Sequence, residues 1–213
     1  TPTWVWSFGD GGSADGQSPV HTYTQPGFYE VTASVFSPDT TRSRSWDECI
    51  IVLADSLLGD ESTADAGGAA EVVISARNTI PLSSIRVPIE ISGSLSGIAL
   101  DSFSVAGCRT SGFSSVGYSH WLSSTQYTLL ISNPADNPDT DLPPGVGPVM
   151  KLYYTIPGSA SNGQQAELSF DGYTDHYPEL SGRIATYDAR TVAATITVGA
   201  GGNCCIGVTG NID

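Results

Sequence analysis

The sequence is poor in positive charge. Lys and Arg number 8 against 22 Asp and Glu in 213 residues, a net charge of −14. Nucleic-acid binders need a basic surface to neutralise phosphates, so this balance argues against that class and equally against docking on anionic membranes. It suits divalent cations, high salt or simple solubility. Long apolar runs are missing too, and none approaches the length of a membrane span. No signal peptide is present; the chain opens inside a structured motif, which is compatible with a leader already removed. No segment carries a convincing helical stripe. Recognisable catalytic spacings are also missing: there is no H-x-x-x-H, no H-E-x-x-H and no G-x-S-x-G elbow. Asp171, Asp175, His176 and Glu179 imitate a glycosidase cluster, but a polar turn between strands accounts for them better, and the chain reads as a non-enzyme.

Cysteine is sparse, and its spacing is informative. The four cysteines allow three complete pairings. Cys49 and Cys108 lie in or beside strand-like runs, whereas Cys204 and Cys205 are adjacent. Neighbouring cysteines rarely bridge each other, because a disulfide needs a wider Cα separation than one peptide unit gives. Partners elsewhere in the chain, or in another chain, are expected, and with them disulfide reinforcement. With no C-x-x-C, redox chemistry and structural zinc are weak readings.

Turn-formers and short extended runs are abundant instead: Gly 24 and Pro 13, with 39% hydrophobic residues to build a core. WVWSF at 4–8 alternates Trp, Trp and Phe on one face, the period of a half-buried strand. GDGG at 9–12 is a tight turn, FYEVTASVF at 28–36 and WDECIIVLA at 46–54 are strands, and the spacing is that of hairpins. Residues 55–69 are small, acidic and Gly-rich and read as a linker or lead-in, with Asp55, Asp60, Glu61 and Asp65 solvating it. From 70 to 199 at least seven strand candidates follow, from AEVVISARNT to VAATITVG, separated by Gly, Pro, Asn and Asp. Such a meander fits a β-sandwich. Pro88 and Pro157 suggest edge strands or bulges. The expected fold class is therefore all-β with two β-sandwich domains: a partial one at 1–54, the lead-in at 55–69, a second at 70–199 and a tail at 200–213.

The first block resembles a PKD domain, an immunoglobulin-like sandwich of extracellular proteins. Trp6, Phe8, Gly9, Asp10 and Gly11 read W-S-F-G-D-G, followed by Pro19, His21, Thr22, Tyr23, Gly27, Tyr29 and Val31. The residues themselves agree. Gly9 and Gly11 permit positive φ, Asp10 can bond turn amides, and Tyr23 would anchor the corner before the next strand, which starts after Gly27. Such domains place about two further strands before this motif, whereas here only Thr1, Pro2 and Thr3 precede it. Two explanations stay open: a fragment of a longer chain, or a sheet completed by a neighbour's strand. The block at about 64–199 is similar to a cohesin-type sandwich, through AEVVISARNTIPLSSIRVPIEI, GPVMKLYYTIP and SNGQQAELSF. That likeness implies a non-catalytic binder of dockerins, or an adhesive or carbohydrate-binding module. The tail GNCCIGVTGNID resembles the entry to a dockerin-like calcium repeat, with Asn211 and Asp213 as first ligands.

The candidate sites follow. Asp136, Asp139 and Asp141 crowd one loop, and close carboxylates repel unless protonated or bridged by a cation, so Ca2+ is the candidate cofactor, against a solvated Asx-turn loop. Trp121 and Tyr173 stand in polar loops and are candidates for stacking on a sugar or burying in a protein, against a role for Trp121 in capping the core. The assembly interface is expected at Trp4, Trp6 and Phe8, with Cys204, Cys205, Ile206 and Val208 in the tail. The leading functional expectation is an extracellular or cell-surface structural or adhesive module, a self-assembling filament subunit whose partners are its own copies or other surface proteins. The alternative is a polysaccharide- or dockerin-binding module of a larger secreted protein.

Overall fold

The computed structural model describes residues 1–133 and 138–199. The chain divides into two compact units, Thr1–Ala54 and Asp55–Asp213. No helix among the described residues is long and apolar enough to cross a membrane.

The first unit is one antiparallel sheet of β1 (Thr3–Ser7), β2 (Ser13–Asp15), β3 (Gly27–Ser37) and β4 (Thr40–Val52), in the order β2-β1-β3-β4. Register aligns Trp4 with Val35 and Trp6 with Ala33, then Ala33 with Arg44, Val31 with Trp46 and Val35 with Arg42. Paired residues share a face, so three tryptophans, three small or branched apolar residues and two arginines lie together. The opposite face carries hydroxyl pairs, Thr32 with Ser45 and Ser34 with Ser43, each at 2.7 Å. Residues 1–54 hold this one sheet and no second layer to cover its aromatic face. The polar run TTRSRS belongs to β4, where its alternate Ser and Arg lie on two different faces.

The second unit contains β5 (Ser56–Gly59), β6 (Glu61–Ala64), β7 (Ala69–Asn78), β8 (Ser84–Gly93), β9 (Leu100–Ser104), β10 (Ser115–Trp121), β11 (Gln126–Ser132), β12 (Gly145–Thr155), β13 (Gln165–Ser169), β14 (Glu179–Ser181), β15 (Thr186–Asp188), β16 (Arg190–Val192) and β17 (Ala194–Val198). One sheet runs β16-β5-β7-β12-β9; the other runs β10-β11-β8-β13-β17-β6, with β14 and β15 attached alongside β8. Alternation drives the assembly. Val72, Ile74 and Ala76 of β7 and Leu152 and Tyr154 of β12 face Ile85, Val87 and Ile89 of β8 and Tyr127, Leu129 and Ile131 of β11, all fully buried. The segment 55–69 is not a linker. β5 pairs in parallel with β16, and β6 with β17, so the chain crosses from one sheet to the other at Asp60 while its last strands cross beside it. Three- and four-residue strands are too short to display a period, which is why composition alone suggested a lead-in.

Pro88 also departs from expectation, since β8 is central. Ile91 donates its N–H to Thr125 on the β11 side, so the N–H positions of even-numbered residues point away from β11. On that side β14 covers Ser84–Arg86 and β13 covers Glu90–Gly93, leaving the missing Pro88 donor in the gap between them.

A polar contact joins the two core faces: the hydroxyls of Tyr127 and Tyr154 lie 2.7 Å apart. Burial pushes both phenols to higher pKa. Tyr154→Phe is expected to cost about 1–3 kcal/mol, because the Tyr127 hydroxyl is left buried and unpaired. The double variant with Tyr127→Phe should recover part of that loss. Urea unfolding of the single and double variants checks this, and strictly additive losses would contradict the pairing.

Candidate binding surfaces

In the first unit the GDGG turn is held from several directions. Gly9 and Gly11 have φ of 80° and 89°. The Gly12 N–H donates to Asp10 Oδ1 at 2.8 Å, and His21 Nε2 meets Asp10 Oδ2 at 2.7 Å. The hydrogen bond from His21, then that from Gly12, hold the Asp10 carboxyl below the usual carboxylate range. The His21 ring stacks on Phe8 with centroids 4.1 Å apart and meets Tyr23 edge-on, and Tyr23 stacks on Tyr29. Phe8 is thereby buried, which removes it from the expected assembly interface. Trp4 and Trp6 remain half-buried on the uncovered face, where Trp6 lies nearly parallel to Trp46, 6.4 Å between centroids. Arg44 sits 5.0 Å from the Trp46 ring centroid.

In the second unit, the outer face of the eight-stranded sheet is tiled by paired polar groups. Arg86 donates to Glu179 at 3.0 Å, Gln126 donates to Glu90 at 2.8 Å, and His120 stacks on His176 at 4.1 Å. At the β10 edge the character changes. Register sets Tyr118 beside Leu129 and Trp121 beside Tyr127, on the core side of the sheet. β10 is the last strand, so these rings close the rim of the sandwich and still face solvent. Trp121 stacks on Tyr127 at 5.5 Å and meets Tyr118 at 5.1 Å, while Phe103 of β9 meets Tyr118 at 5.5 Å. Exposure is 50% for Trp121, 46% for Tyr118 and 56% for Leu122. Trp121 therefore caps the core and offers a surface at once. Tyr118 and Leu122 complete the patch, and β10 carries a register shift between Tyr118 and His120.

Other expected site residues are placed differently. Tyr173 is 7% exposed, its hydroxyl 3.0 Å from Thr128 Oγ1, so it covers the sheet and offers no ligand surface. Asp141 has a side chain only 2% exposed, and Arg183 Nε donates to it at 2.7 Å; a guanidinium from a distant turn neutralises the carboxylate where a cation was expected. Asp139 lies in a short 3-10 turn, Pro138–Thr140, and Asp136 lies outside the described residues. Among the described residues no three His, Cys, Asp or Glu side chains gather as a metal cluster. The glycosidase-like group is dispersed: Glu179 pairs with Arg86, His176 stacks on His120, and Asp171 accepts from Thr191. The disulfide expectation is corrected as well. Cys49 and Cys108, the two cysteines among the described residues, are free, one exposed and one buried in separate units. Cys204, Cys205, Ile206, Val208 and the calcium-repeat-like tail lie outside the described residues.

A family model described as PKD domain matches residues 1–48, the first unit. No curated protein matches the chain. Solved structures match the second unit. The sixth cohesin of scaffoldin B from Acetivibrio cellulolyticus, solved with a Cel5 dockerin, has TM-score 0.54 at 16% identity, over 68% of this chain and 99% of that one. A cohesin of the Coh-OlpA complex from Clostridium thermocellum has TM-score 0.57 at 11% identity, over 68% and 99%. A non-cellulosomal cohesin from the archaeon Archaeoglobus fulgidus has TM-score 0.51 at 11% identity, over 70% and 93%. The chain is thus all-β, a PKD-like unit followed by a cohesin-like β-sandwich.

Proposed function

We propose that this protein is a non-catalytic, extracellular binding module whose cohesin-like unit takes a dockerin-bearing protein partner. The observation that carries this reading is the completeness of the second unit: its sandwich spans 99% of the scaffoldin B cohesin, which was solved with a dockerin bound. Its exposed rim of Tyr118, Trp121 and Leu122 supplies the anchors, since interface energy concentrates in aromatic side chains that lose their water on binding. The partner is a protein, and the surface is a patch without a reaction cleft.

The test is binding of immobilised dockerins, the Cel5 dockerin among them, to the whole chain with and without calcium. Trp121→Ala should weaken the complex by at least about tenfold, the mark of an interface anchor. Binding that Trp121→Ala leaves unchanged would move the site elsewhere on the sandwich. Failure of every dockerin, with capture on polysaccharide, would replace the reading by the carbohydrate-binding one.

A second reading is favoured by the uncovered face around Trp4 and Trp6: a neighbouring copy lays strands on it, and the chain assembles into a filament or surface layer. Sheets with one apolar face are stable only when that face is covered. Sedimentation across a wide concentration range decides it, and a monomer at all concentrations rejects it.

A further inference from the structure

We infer that the connection between β13 and β14 is a pH-sensitive strap on the outer face of the eight-stranded sheet, closed at neutral pH and released in acid through the stacked rings of His120 and His176. The connection leaves β13 at Ser169, beside Glu90 of β8, and returns in β14 at Glu179, beside Arg86. Between those points lies the row Pro88, Thr128 and His120, aligned by register across β8, β11 and β10. The connection reaches out to this row. The Tyr173 hydroxyl lies 3.0 Å from Thr128 Oγ1, and the His176 ring lies on His120 with 4.1 Å between centroids and 22° between planes. Phe170 and Pro178 at its two ends are buried, whereas Thr174 and Asp175 at its tip are exposed.

The tip is a tight turn. The Tyr173 N–H donates to the His176 carbonyl at 3.0 Å, and the His176 N–H donates to the Tyr173 carbonyl at 2.9 Å. Closing it takes a φ of 101° at Gly172 and 51° at Thr174. Glycine meets the first demand freely, but a β-branched residue at positive φ is strained. The closed strap therefore carries a cost that its contacts with the sheet must offset, and a modest loss at those contacts frees it.

Charge on the two rings decides whether the contact holds. Histidine is the side chain that changes charge between pH 5 and 8. Neutral imidazoles stack, whereas two imidazolium rings at this distance repel. The closed strap therefore binds fewer protons than the open one, and by linkage falling pH favours release. Neither histidine forms an ion pair among the described residues, unlike His21, which meets Asp10. On the strap the titratable neighbours are Tyr173, Asp175 and Tyr177. On β10 and β11 the same face carries Gly117, Gln126, Thr128 and Leu130, none of them titratable. On β8 it carries Arg86, which donates to Glu179, and Glu90, which accepts from Gln126. Asp175 is exposed, so water weakens its attraction for the pair.

Amide hydrogen exchange by NMR on the whole chain, corrected for intrinsic rates, gives the opening constant at the Tyr173 and His176 amides. Between about pH 7.5 and about pH 5 that constant should rise at least about fivefold, the least that two unit charges roughly 4 Å apart cost even in water. The Leu129 and Ile131 amides of β11 should not follow. His120 and His176 are only half-buried, so His120→Gln and His176→Gln should fold, and each should flatten the pH dependence. Tyr173→Phe should raise opening by the same factor at both pH values. Opening that does not change with pH would overturn the proposal. So would a dependence that survives either glutamine variant, or one that Asp175→Asn removes while both histidines remain, since a carboxylate would then carry it. If a glutamine variant failed to fold, the unmodified chain and Asp175→Asn would still decide. No dockerin enters the measurement, so the strap and the proposed partner are tested separately.

Discussion

Replacing Gly59 with valine is expected to destabilise the second unit by about 3 kcal/mol or more, at the upper end of what overpacking costs. Gly59 ends β5 at the point where the chain leaves one sheet for the other, and β17 begins beside it at Ala194. A Cβ on Gly59 would lie 2.5 Å from Ala194 Cβ, 2.6 Å from Ala194 N and 2.7 Å from the Phe170 ring. Two of those atoms are fixed by the backbone, and Phe170 is fully buried, so no flexible side chain can give way. Relief must come from separating the crossing strands, which unpairs β5 from β16 and β6 from β17. A domain stability of 5–15 kcal/mol does not absorb that easily. Gly112→Ala is the control, since an added Cβ there meets nothing within 4 Å. Urea midpoints for the two variants give the comparison; a Gly59→Val midpoint equal to that of Gly112→Ala would show that the crossing is looser than its geometry.

Asp55→Ala is expected to cost a similar amount through a different mechanism. Asp55 is buried and accepts the Thr79 N–H at 2.9 Å, the Thr79 hydroxyl at 2.6 Å and the Tyr187 hydroxyl. Its own carbonyl accepts the Arg190 N–H at 3.1 Å. One carboxylate therefore ties the entry to β5 to the loop after β7 and to β15. Burial, with the Asp55 bond and charge adding to it, drives the Tyr187 phenol to higher pKa and keeps it a donor. Truncation strands the Thr79 amide and the Tyr187 hydroxyl, each at about 1–3 kcal/mol. Asp55→Asn should fall between wild type and alanine, since its amide keeps one acceptor oxygen but turns a donor toward a donor. If thermal unfolding ranked asparagine below alanine, the shortfall would lie in packing and not in the lost acceptor.

Both residues lie in the segment that composition marks as a solvated linker, and the reason for that misreading is general. Asp55 finds its partners 24 and 132 residues away, and Asp60 accepts the Val73 N–H from 13 residues away. A small acidic residue that solvates a linker and one that staples a sandwich have the same local sequence. Asp141 carries the same lesson, since the Arg183 that neutralises it is 42 residues off. Tyr173 looked available because its neighbours are polar, yet Thr128, 45 residues away, takes its hydroxyl. Trp121 stacks on the buried Tyr127 and is still half exposed, because β10 is an edge strand.

By itself the sequence determined what is local and periodic. Alternation at 4–8, 28–36, 70–79 and 84–93 marks strands and their buried faces, because side chains on extended backbone repeat every two residues. The W-S-F-G-D-G run determined a turn that needs positive φ at Gly9 and Gly11. The scarcity of Lys and Arg determined the acidic surface. Tertiary structure alone decided which of these strands are central and which are edges, where 55–69 belongs, and which carboxylates meet a donor. It also decided that Arg42 and Arg44 share a sheet face with three tryptophans. Those facts depend on pairing between residues far apart in the chain, which no local pattern encodes.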